Sequence, residues 1–571
     1  ERATAAGGPY SVVTTVNYPK TSFIDESLTT GSQYFYRIKA VNLAGSSAFS
    51  AVQPITLTSG QYFRPVENSI SLNFENQQGV SWGDLDGDGD EDIASPSFTN
   101  SAGLSVPPVF YENKGGGTFD RRDLQVLAND NDAVSRGINI VDFNNDGKLD
   151  MYITRSGTSI ADILLINNGN WAFTRSLVDI TSEVSTAFRS AAAVDYNRDG
   201  LLDIFVGNEP ANLAPPSAPG FLFKNLNGNT FSKDVSSSLG TDLINSRIAS
   251  WADYDNDGDQ DLLTANTVNP GQPMRLYKNN GDGTFTRVTG TAFDSDLMIN
   301  TRTISWGDID NDGDLDVYIG ISTGSLSATF NDRLYRNDGN DVFTSLTTSE
   351  AAANGTATFG SAFGDIDNDG DLDLLVANAV SVAVPNSGAN GIFINNGAGV
   401  FTKSTSNELF TNPNTYEIGL ALADFDQDGF LDAYPAKGQT ATIDLPNFLY
   451  KNNGTLTSSK NWIEIKLEGT TSNKAAIGAR VKVITTSPAR TQIREVSSRT
   501  GYGSQNSLIQ HFGLGSATAI SQIEVRWPSG QTQILPNVSP VNRIITIKED
   551  FTAPTFTFNP AHNSTDRKSV V

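Results

Sequence analysis

The sequence predicts an all-β chain built around a seven-bladed β-propeller, with a C-terminal β-sandwich-like domain behind it and part of another sandwich in front. Three observations predict it. An Asp-rich nonapeptide recurs seven times, starting at Asp84, Asp142, Asp195, Asp253, Asp308, Asp365 and Asp424, with steps of 53 to 59 residues. A period held over that many units marks a repeat architecture. Each copy leads into a β-branched, apolar run such as Asp316-Val-Tyr-Ile, without helical period. Each unit also has room for four short strands separated by turn residues, the pattern of a propeller blade.

The nonapeptide carries side-chain oxygens at positions 1, 3, 5 and 9 and Gly at position 6, while position 7 varies as expected if only its carbonyl is used. Hard cations want that oxygen set, and Gly permits the sharp turn that folds it inward. Calcium is the first candidate, about one ion per blade, since magnesium demands a stricter octahedron and keeps its water. The predicted ligands are Asp84, Asp86, Asp88, Asp90 and Asp92 in loop 1, and Asp142, Asn144, Asp146, Lys148 and Asp150 in loop 2. Loop 3 offers Asp195, Asn197, Asp199, Leu201 and Asp203; loop 4 offers Asp253, Asp255, Asp257, Asp259 and Asp261. Loop 5 offers Asp308, Asp310, Asp312, Asp314 and Asp316, and loop 6 offers Asp365, Asp367, Asp369, Asp371 and Asp373. Loop 7 offers Asp424, Asp426, Asp428, Phe430 and Asp432. Asn144 and Asn197 each replace a carboxylate with an amide, so sites 2 and 3 are expected to be weaker. A single copy reads equally well as an Asx-rich turn. Seven in phase, with Gly89, Gly147, Gly200, Gly258, Gly313, Gly370 and Gly429 aligned, read as metal loops. They are not EF-hands, because no Glu stands at position 12 and no helix follows.

Composition sets outer limits. The chain has 571 residues, 38% hydrophobic and 18% charged, which is ordinary for folded protein. Its formal charge of −25 comes largely from the loops, and seven divalent cations would bring it to −11. That acidity argues against nucleic acid as a partner. Cysteine is absent, which excludes disulfides, thiol nucleophiles and Cys-based zinc sites. No apolar run is long enough to span a bilayer.

In chain order, residues 1–58 alternate polar and apolar, clearest in Tyr34-Phe-Tyr36-Arg-Ile38-Lys-Ala40-Val-Asn42-Leu-Ala-Gly45. With Leu28, this spacing resembles the second half of a fibronectin type III domain, which implies a corner role for Tyr34. Residues 59–458 carry the repeats. Each blade reads as an inner strand entering the loop (Ile304-Ser-Trp-Gly-Asp308), a strand leaving it, a third strand ending in Asn, and a fourth. Asn113, Asn167, Asn225, Asn279, Asn337, Asn395 and Asn452 recur at that third-strand end, where a turn with positive φ is expected. Unit 7 lacks the fourth strand that Gly283-Thr-Phe285-Thr supplies in unit 4, and Tyr62-Phe63-Arg64-Pro-Val66 fits the gap. The N-terminal strand is therefore expected to close blade 7.

Residues 61–458 resemble the FG-GAP/VCBS repeats of calcium-binding propellers, as in integrin α-subunit heads and many secreted bacterial proteins. The resemblance implies fold and metal; ligands vary across that fold. Residues 459–549, with Ile477-Gly-Ala-Arg480-Val481, Gly501-Tyr-Gly-Ser-Gln-Asn506, His511-Phe-Gly-Leu-Gly515 and Val525-Arg-Trp527-Pro-Ser-Gly530, resemble an ASPIC/UnbV domain, read as a separate segment. Residues 550–571 resemble the opening of a further Ig-like domain, through Thr552-Ala-Pro-Thr-Phe and Asn559-Pro-Ala.

The only histidines are His511 and His562, both outside the propeller, and His511 reads as structural. A Ser-His-Asp arrangement within the ring and a His-based zinc site are excluded. Carboxylates that hold a cation stay ionised and make poor proton donors. No catalytic residues are assigned. Arg136, Arg189, Arg247 and Arg302 each stand six residues before the first Asp of their loop, at the inner-strand start in blades 2 to 5, where blades 1, 6 and 7 have Gln78, Phe359 and Ile418. They would form an arc on the face opposite the metal loops, suited to carboxylate or sulfate groups, unless acids such as Asp242 and Asp296 pair with them.

These readings point to an extracellular, calcium-stabilised binding or structural module of a larger secreted or cell-surface protein of bacterial type, engaging glycan or protein through its metal-free face. Neighbouring Ig-like and fibronectin-like domains of the same chain would be its other partners. A polysaccharide lyase or hydrolase on the same ring, or a passive spacer, are the alternatives.

Overall fold

The computed structural model describes the chain except residues 16–31, 43–44, 57–61, 67–68, 73–75, 99–104, 129, 131–133, 157–159, 177–189, 209–218, 229, 243–245, 267–271, 299, 323–330, 354–355, 380–388, 406–415, 439–446, 453, 455–459, 551–555 and 559–571. Among the described residues strands hold 49% and helices 3%, so the class is all-β. Seven four-stranded antiparallel sheets, each carrying one Asp-rich loop between its first and second strands, occupy Phe63 to Asn452 among the described residues. Sheet 5 shows the pattern: Thr301–Gly307, Asp316–Ile321, Arg333–Asn337 and Phe343–Ser345, in chain order across the sheet.

First strands of successive sheets touch in sequence, and Glu417–Ala423 of sheet 7 touches Ser81–Gly83 of sheet 1, so the sheets form a ring. Sheet 7 takes its fourth strand from the N-terminal side. Phe63–Val66 pairs antiparallel with Leu449–Asn452, Phe63 opposite Asn452. Innermost strands lean on small residues, such as Ala191–Val194 (AAAV), because side chains crowd toward the axis. Farther out, apolar clusters knit neighbours together. Val80, Trp82, Ile93, Tyr111 and Phe119 of sheet 1 pack against Ala421, Phe425, Tyr434 and Leu449 of sheet 7. Each fully buried large side chain of this kind contributes roughly 1.5–3 kcal/mol.

The recurring Asn residues do something other than turn. None of Asn113, Asn167, Asn225, Asn279, Asn337, Asn395 and Asn452 has positive φ; they end extended third strands, and the left-handed residues fall later, for example at Gly339, Asn340 and Asp341. Each Asn instead locks two sheets. Asn337 Nδ2 donates to Tyr254 O in the preceding loop (2.8 Å) and to Leu315 O in its own (3.3 Å), while its Oδ1 accepts from Gly339 N–H (3.0 Å). Equivalent bonds run from Asn167 to Leu85 O and, across the ring's junction, from Asn113 to Phe425 O. Truncation strands buried carbonyls, at about 1–3 kcal/mol for each unsatisfied group. Asn337→Ala is expected to cost about 3 kcal/mol by thermal or urea melts, and Asn280→Ala, at an exposed amide bonded to Thr284, under about 0.5 kcal/mol.

The C-terminal domain is two four-stranded sheets. Asn461–Glu468 lies between Gln510–Gly515 and Ile544–Lys548, and Arg480–Thr486 between Ala489–Glu495 and Ile520–Arg526. Far from being separate, its core of Ile463, Val481, Phe512 and Trp527 runs on into Val141, Phe143, Ala191 and Ile204 of sheets 2 and 3. Residues 550–571, expected to open a new domain, supply Phe556–Phe558 as an edge strand beside Ile544–Lys548. At the N-terminus, Arg2–Ala3, Gln33–Tyr36 and Gln53–Thr56 form a three-stranded sheet, with Tyr34 buried beneath the Arg2 guanidinium; Leu28 lies outside the described residues.

Candidate metal centres

Each loop is wound by its own carboxylates. In loop 6, Asp365 accepts from Asp369 N–H (3.0 Å) and Gly370 N–H (2.8 Å), Asp367 accepts from Asp369 N–H (3.1 Å), and Asp369 accepts from Asp371 N–H (3.1 Å). Position 6 takes φ between +85° and +99° in all seven loops, as its Gly requires. Position 4 is left-handed too, at Gly87, Asn145, Arg198, Asn256, Asn311, Asn368 and Gln427. Position 9 is pinned from both sides: Asp316 accepts from Ile309 N–H and from Asn337 N–H, each at 2.8 Å.

This winding gathers positions 1, 3 and 9. Asp84, Asp86 and Asp92; Asp253, Asp255 and Asp261; Asp308, Asp310 and Asp316; Asp365, Asp367 and Asp373; and Asp424, Asp426 and Asp432 each offer oxygens within 4.8 Å of one another. Loops 2 and 3 repeat the fold with Asn144 and Asn197 in place of the middle carboxylate. Position 5, at Asp88, Asp146, Asp199, Asp257, Asp312, Asp369 and Asp428, stands outside these triplets and caps the position-7 N–H.

Electrostatics favour a cation. Burial pushes the carboxyls of Asp92 and Asp316 up to about 9, and burial with neighbouring carboxylates pushes Asp308 and Asp365 up to about 7. Asp373 and Asp432 are raised well above the ordinary range for the same reasons. Asp253 Oδ1, Asp261 Oδ2, Asp310 Oδ1 and Asp426 Oδ1 are buried with no hydrogen-bond partner. Acceptor oxygens held a few ångströms apart, desolvated and unsatisfied, suit a hard divalent ion, and side-chain cations border the same clusters, Lys278 at Asp255, Lys451 at Asp426 and Lys460 at Asp367.

The loops are also chained together, which sequence reading missed. Position-4 side chains reach the next loop: Asn145 to Gly200 O, Asn311 to Asp371, Asn368 to Gly429 O, and Gln427 of loop 7 back to Gly89 O and Asp90 of loop 1. Arg198 pairs with Asp259 at 2.8 Å. Four Asn and one Gly at that position were the available signal.

The C-terminal domain sits directly on this face. Arg526 and Arg480 grip loop 4, through the Asp253 carboxylate and its carbonyl respectively. Arg490 donates to Asp369 O (2.5 Å) and Asp371 (2.9 Å), and Lys460 meets Asp367 at 3.0 Å. His511 Nε2 lies 3.2 Å from Gly429 O, and burial pushes its pKa down to about 4. From this cap a loop, 497–507, enters the ring. Gln505 pairs with sheet 1 through Val80 and Trp82, and its side chain bonds both Ile140 N–H and Ile140 O of sheet 2 (2.9 and 2.8 Å). Ser498 and Arg499 bond Ala193 O and Ala191 O of sheet 3, Thr500 bonds Ser361 O of sheet 6, and Asn506 accepts from Leu422 N–H of sheet 7. The run Gly501–Asn506 was visible in the sequence but carried no role there.

At the far mouth, equivalent positions of neighbouring sheets do meet, but not as an open arc of guanidiniums. Arg136 is held by Gln78 Oε1 (3.0 Å) and Ser156 Oγ (2.8 Å), and Arg302 by Ser322 Oγ (2.7 Å), its guanidinium 4.9 Å from the Phe359 ring centre. Arg247 is buried, and Arg189 lies outside the described residues. Asp242 and Asp296, the acids expected to pair with these arginines, are taken instead by Arg275 with Tyr277 and by Arg333 with Tyr335. Tyr502, arriving through the channel, stacks edge-on against Phe359 at 6.1 Å.

Comparison with known proteins agrees with this architecture. Residues 142–206, 253–319, 325–376 and 380–434 match the FG-GAP-like repeat model, and residues 469–553 match the ASPIC and UnbV model. The chain is 25% identical to cartilage acidic protein 1 of Xenopus tropicalis over 489 residues, covering 81% of this chain and 71% of that protein. The Homo sapiens protein of the same name is 24% identical, over 81% of this chain and 70% of its own length. The bacterial source expected from the sequence is not borne out, these relatives being vertebrate. Among solved structures, an Agrocybe aegerita lectin described as recognising non-reducing terminal N-acetylglucosamine aligns over 68% of this chain and 90% of its own, at TM-score 0.43 and 17% identity. The Vibrio cholerae biofilm matrix protein Bap1 aligns over 83% of this chain and 76% of its own, at TM-score 0.30 and 11% identity.

Proposed function

We propose that the chain is an extracellular recognition module: a seven-bladed propeller braced by about seven calcium ions, capped and plugged by its ASPIC/UnbV-like domain, and binding glycan or protein through the rim opposite the metal loops. The observation that carries this reading is the cap. Because Arg480, Arg490, Arg526 and the 497–507 loop occupy the metal face and the channel, the partner surface falls to the far rim. Asn208 and Asn390, which flank connections between second and third strands, stand at the strand ends away from the metal loops, where sequence can vary without disturbing the ring. Relatives named for cartilage suit a matrix setting. Among the described residues no helix is long and apolar enough to cross a membrane. We read the module as non-enzymatic. Its metal carboxylates serve as scaffold, and His511 is sealed against Gly429.

The test is a glycan and matrix-protein array with calcium-loaded protein, followed by Arg302→Ala with Tyr416→Ala, Tyr416 being another ring that packs against Phe359 (centroids 6.1 Å apart). Saturable binding that falls at least about tenfold in the double variant, with an unchanged melt, would support recognition at this rim. Turnover of a polysaccharide by the intact protein, or binding untouched by any far-rim change, would overturn it.

A further inference from the structure

Between the cap and the ring lies a cavity of about 130 Å³, lined by sheets 4 to 7 on one side and by the 493–511 stretch on the other. That volume holds several waters or one small ion. Its polar wall is unusual in sign. Arg499 is buried, donates once to Ala191 O (2.8 Å) and leaves its Nε–H without an acceptor. The indole N–H groups of Trp251 and Trp306, which line the same space, are also buried and unpartnered. Arg494 joins them, its guanidinium donating only to Ile493 O and Gln492 Oε1. One carboxylate reaches the cavity, that of Glu495, and it is already engaged by Arg480 (3.0 Å), Gln260 Nε2 (3.0 Å) and Asp253 N–H (3.3 Å). Of the acids that act on Arg494, Asp308 and Asp365 belong to the metal triplets and would be neutralised by their cations, and Asp371 is engaged by Arg490 (2.9 Å).

A buried guanidinium with no counter-charge is expensive, and although His511 Nδ1 adds one unpartnered ring nitrogen to the wall, the donors without acceptors, Arg499 Nε and the two indoles, outnumber it and present the complement of an anion. We propose that this cavity binds a small monovalent anion of halide type, held by Arg499 with the Trp251 and Trp306 indoles, as an electrostatic bolt between cap and ring. Its selectivity follows from size and charge. Chloride or bromide fits, a divalent cation is repelled, and a polyhydroxylated carboxylate such as gluconate is too bulky.

Two measurements decide it. Crystals of the full chain grown in bromide should show an anomalous peak in this cavity, within about 3.5 Å of Arg499 Nε or an indole nitrogen. At fixed ionic strength and fixed free calcium, replacing gluconate by chloride should raise the wild-type melting temperature by about 2 °C. Arg499→Met should abolish that response and Arg302→Met, at the far mouth, should keep it. Should Arg499→Met fail to fold, Trp306→Phe serves instead, with the half-effective bromide concentration rising at least threefold. A cavity showing water alone in bromide crystals, or a wild-type melt indifferent to chloride, overturns the proposal.

Discussion

Stripping calcium with excess chelator is expected to lower the melting midpoint by about 15 °C or more and to loosen the cap from the ring. A site held at a hundredfold its dissociation constant contributes about 2.7 kcal/mol of apparent stability, so three such sites approach the whole stability of an ordinary domain. The cap loosens because Arg490 and Arg480 donate to loop carbonyls, at Asp369 and Asp253, whose positions depend on the wound loop. Hydrogen exchange across 497–507 should therefore accelerate in chelator. An unchanged melt at pH 7.5 would remove the metal reading altogether. The pH dependence carries an independent sign. In metal-free protein, carboxyls raised by burial to about 7 or 9, as at Asp308 and Asp92, bind more protons folded than unfolded. Stability contributed by such groups is full below the ordinary carboxylate pKa of about 4 and is lost as pH rises through 7 and 9. Chelated protein should thus melt lower at pH 9 than at pH 5.5, whereas the calcium-loaded form, with these groups ionised against metal, should not.

Gly503→Val is expected to drive the plug out of the channel at a cost of about 4 kcal/mol or more. Gly503 has φ +59°, and a Cβ there would press into the carbonyl oxygen of Arg136; a Cβ at the facing Gly79 would in turn press into Gly503 O. Backbone meets backbone at this point, so neither side can yield by changing rotamer. Eviction would strand the groups that Gln505 satisfies at Ile140 and expose the Tyr502 ring, now buried and edge-on to Phe359. Differential scanning calorimetry should show the single transition split into two, and trypsin should cut at Arg499. A variant that melts as one unit and resists cleavage would show the plug to be dispensable.

Much of this was legible in the sequence, for a physical reason. Metal loops need particular atoms at particular spacings, so Asp at positions 1, 3 and 9 with Gly at position 6 leaves little freedom, and the positive φ at Gly89 through Gly429 follows. Closure by Phe63–Val66 was readable because an open sheet edge is a liability that the chain must answer. Contacts between distant segments were hidden. The third-strand Asn looked like a turn former, since the same amide that tolerates left-handed backbone can also reach a carbonyl such as Tyr254 O in the neighbouring sheet. Arg480, Arg490 and Arg526 lie in a stretch read as a separate segment, and nothing local there announces which acids they will meet. Arg136 and Arg302 fell where expected, but their hydroxyl and aromatic partners, Ser156, Ser322 and Phe359, carry no charge pattern to read.

The pairing of Phe63–Val66 with Leu449–Asn452 also dictates an order of assembly. The first strand of the ring to leave the ribosome is the last to find its place, idle until almost four hundred further residues have been synthesised, and long-range pairing of this kind is slow and exposed to misassembly. Gln505, which fills the bore, emerges later still. Closing the circle therefore waits on the rest of the ring: nascent chains halted before Leu449 carry an unmatched sheet edge, and the bore fills only once Gln505 has followed.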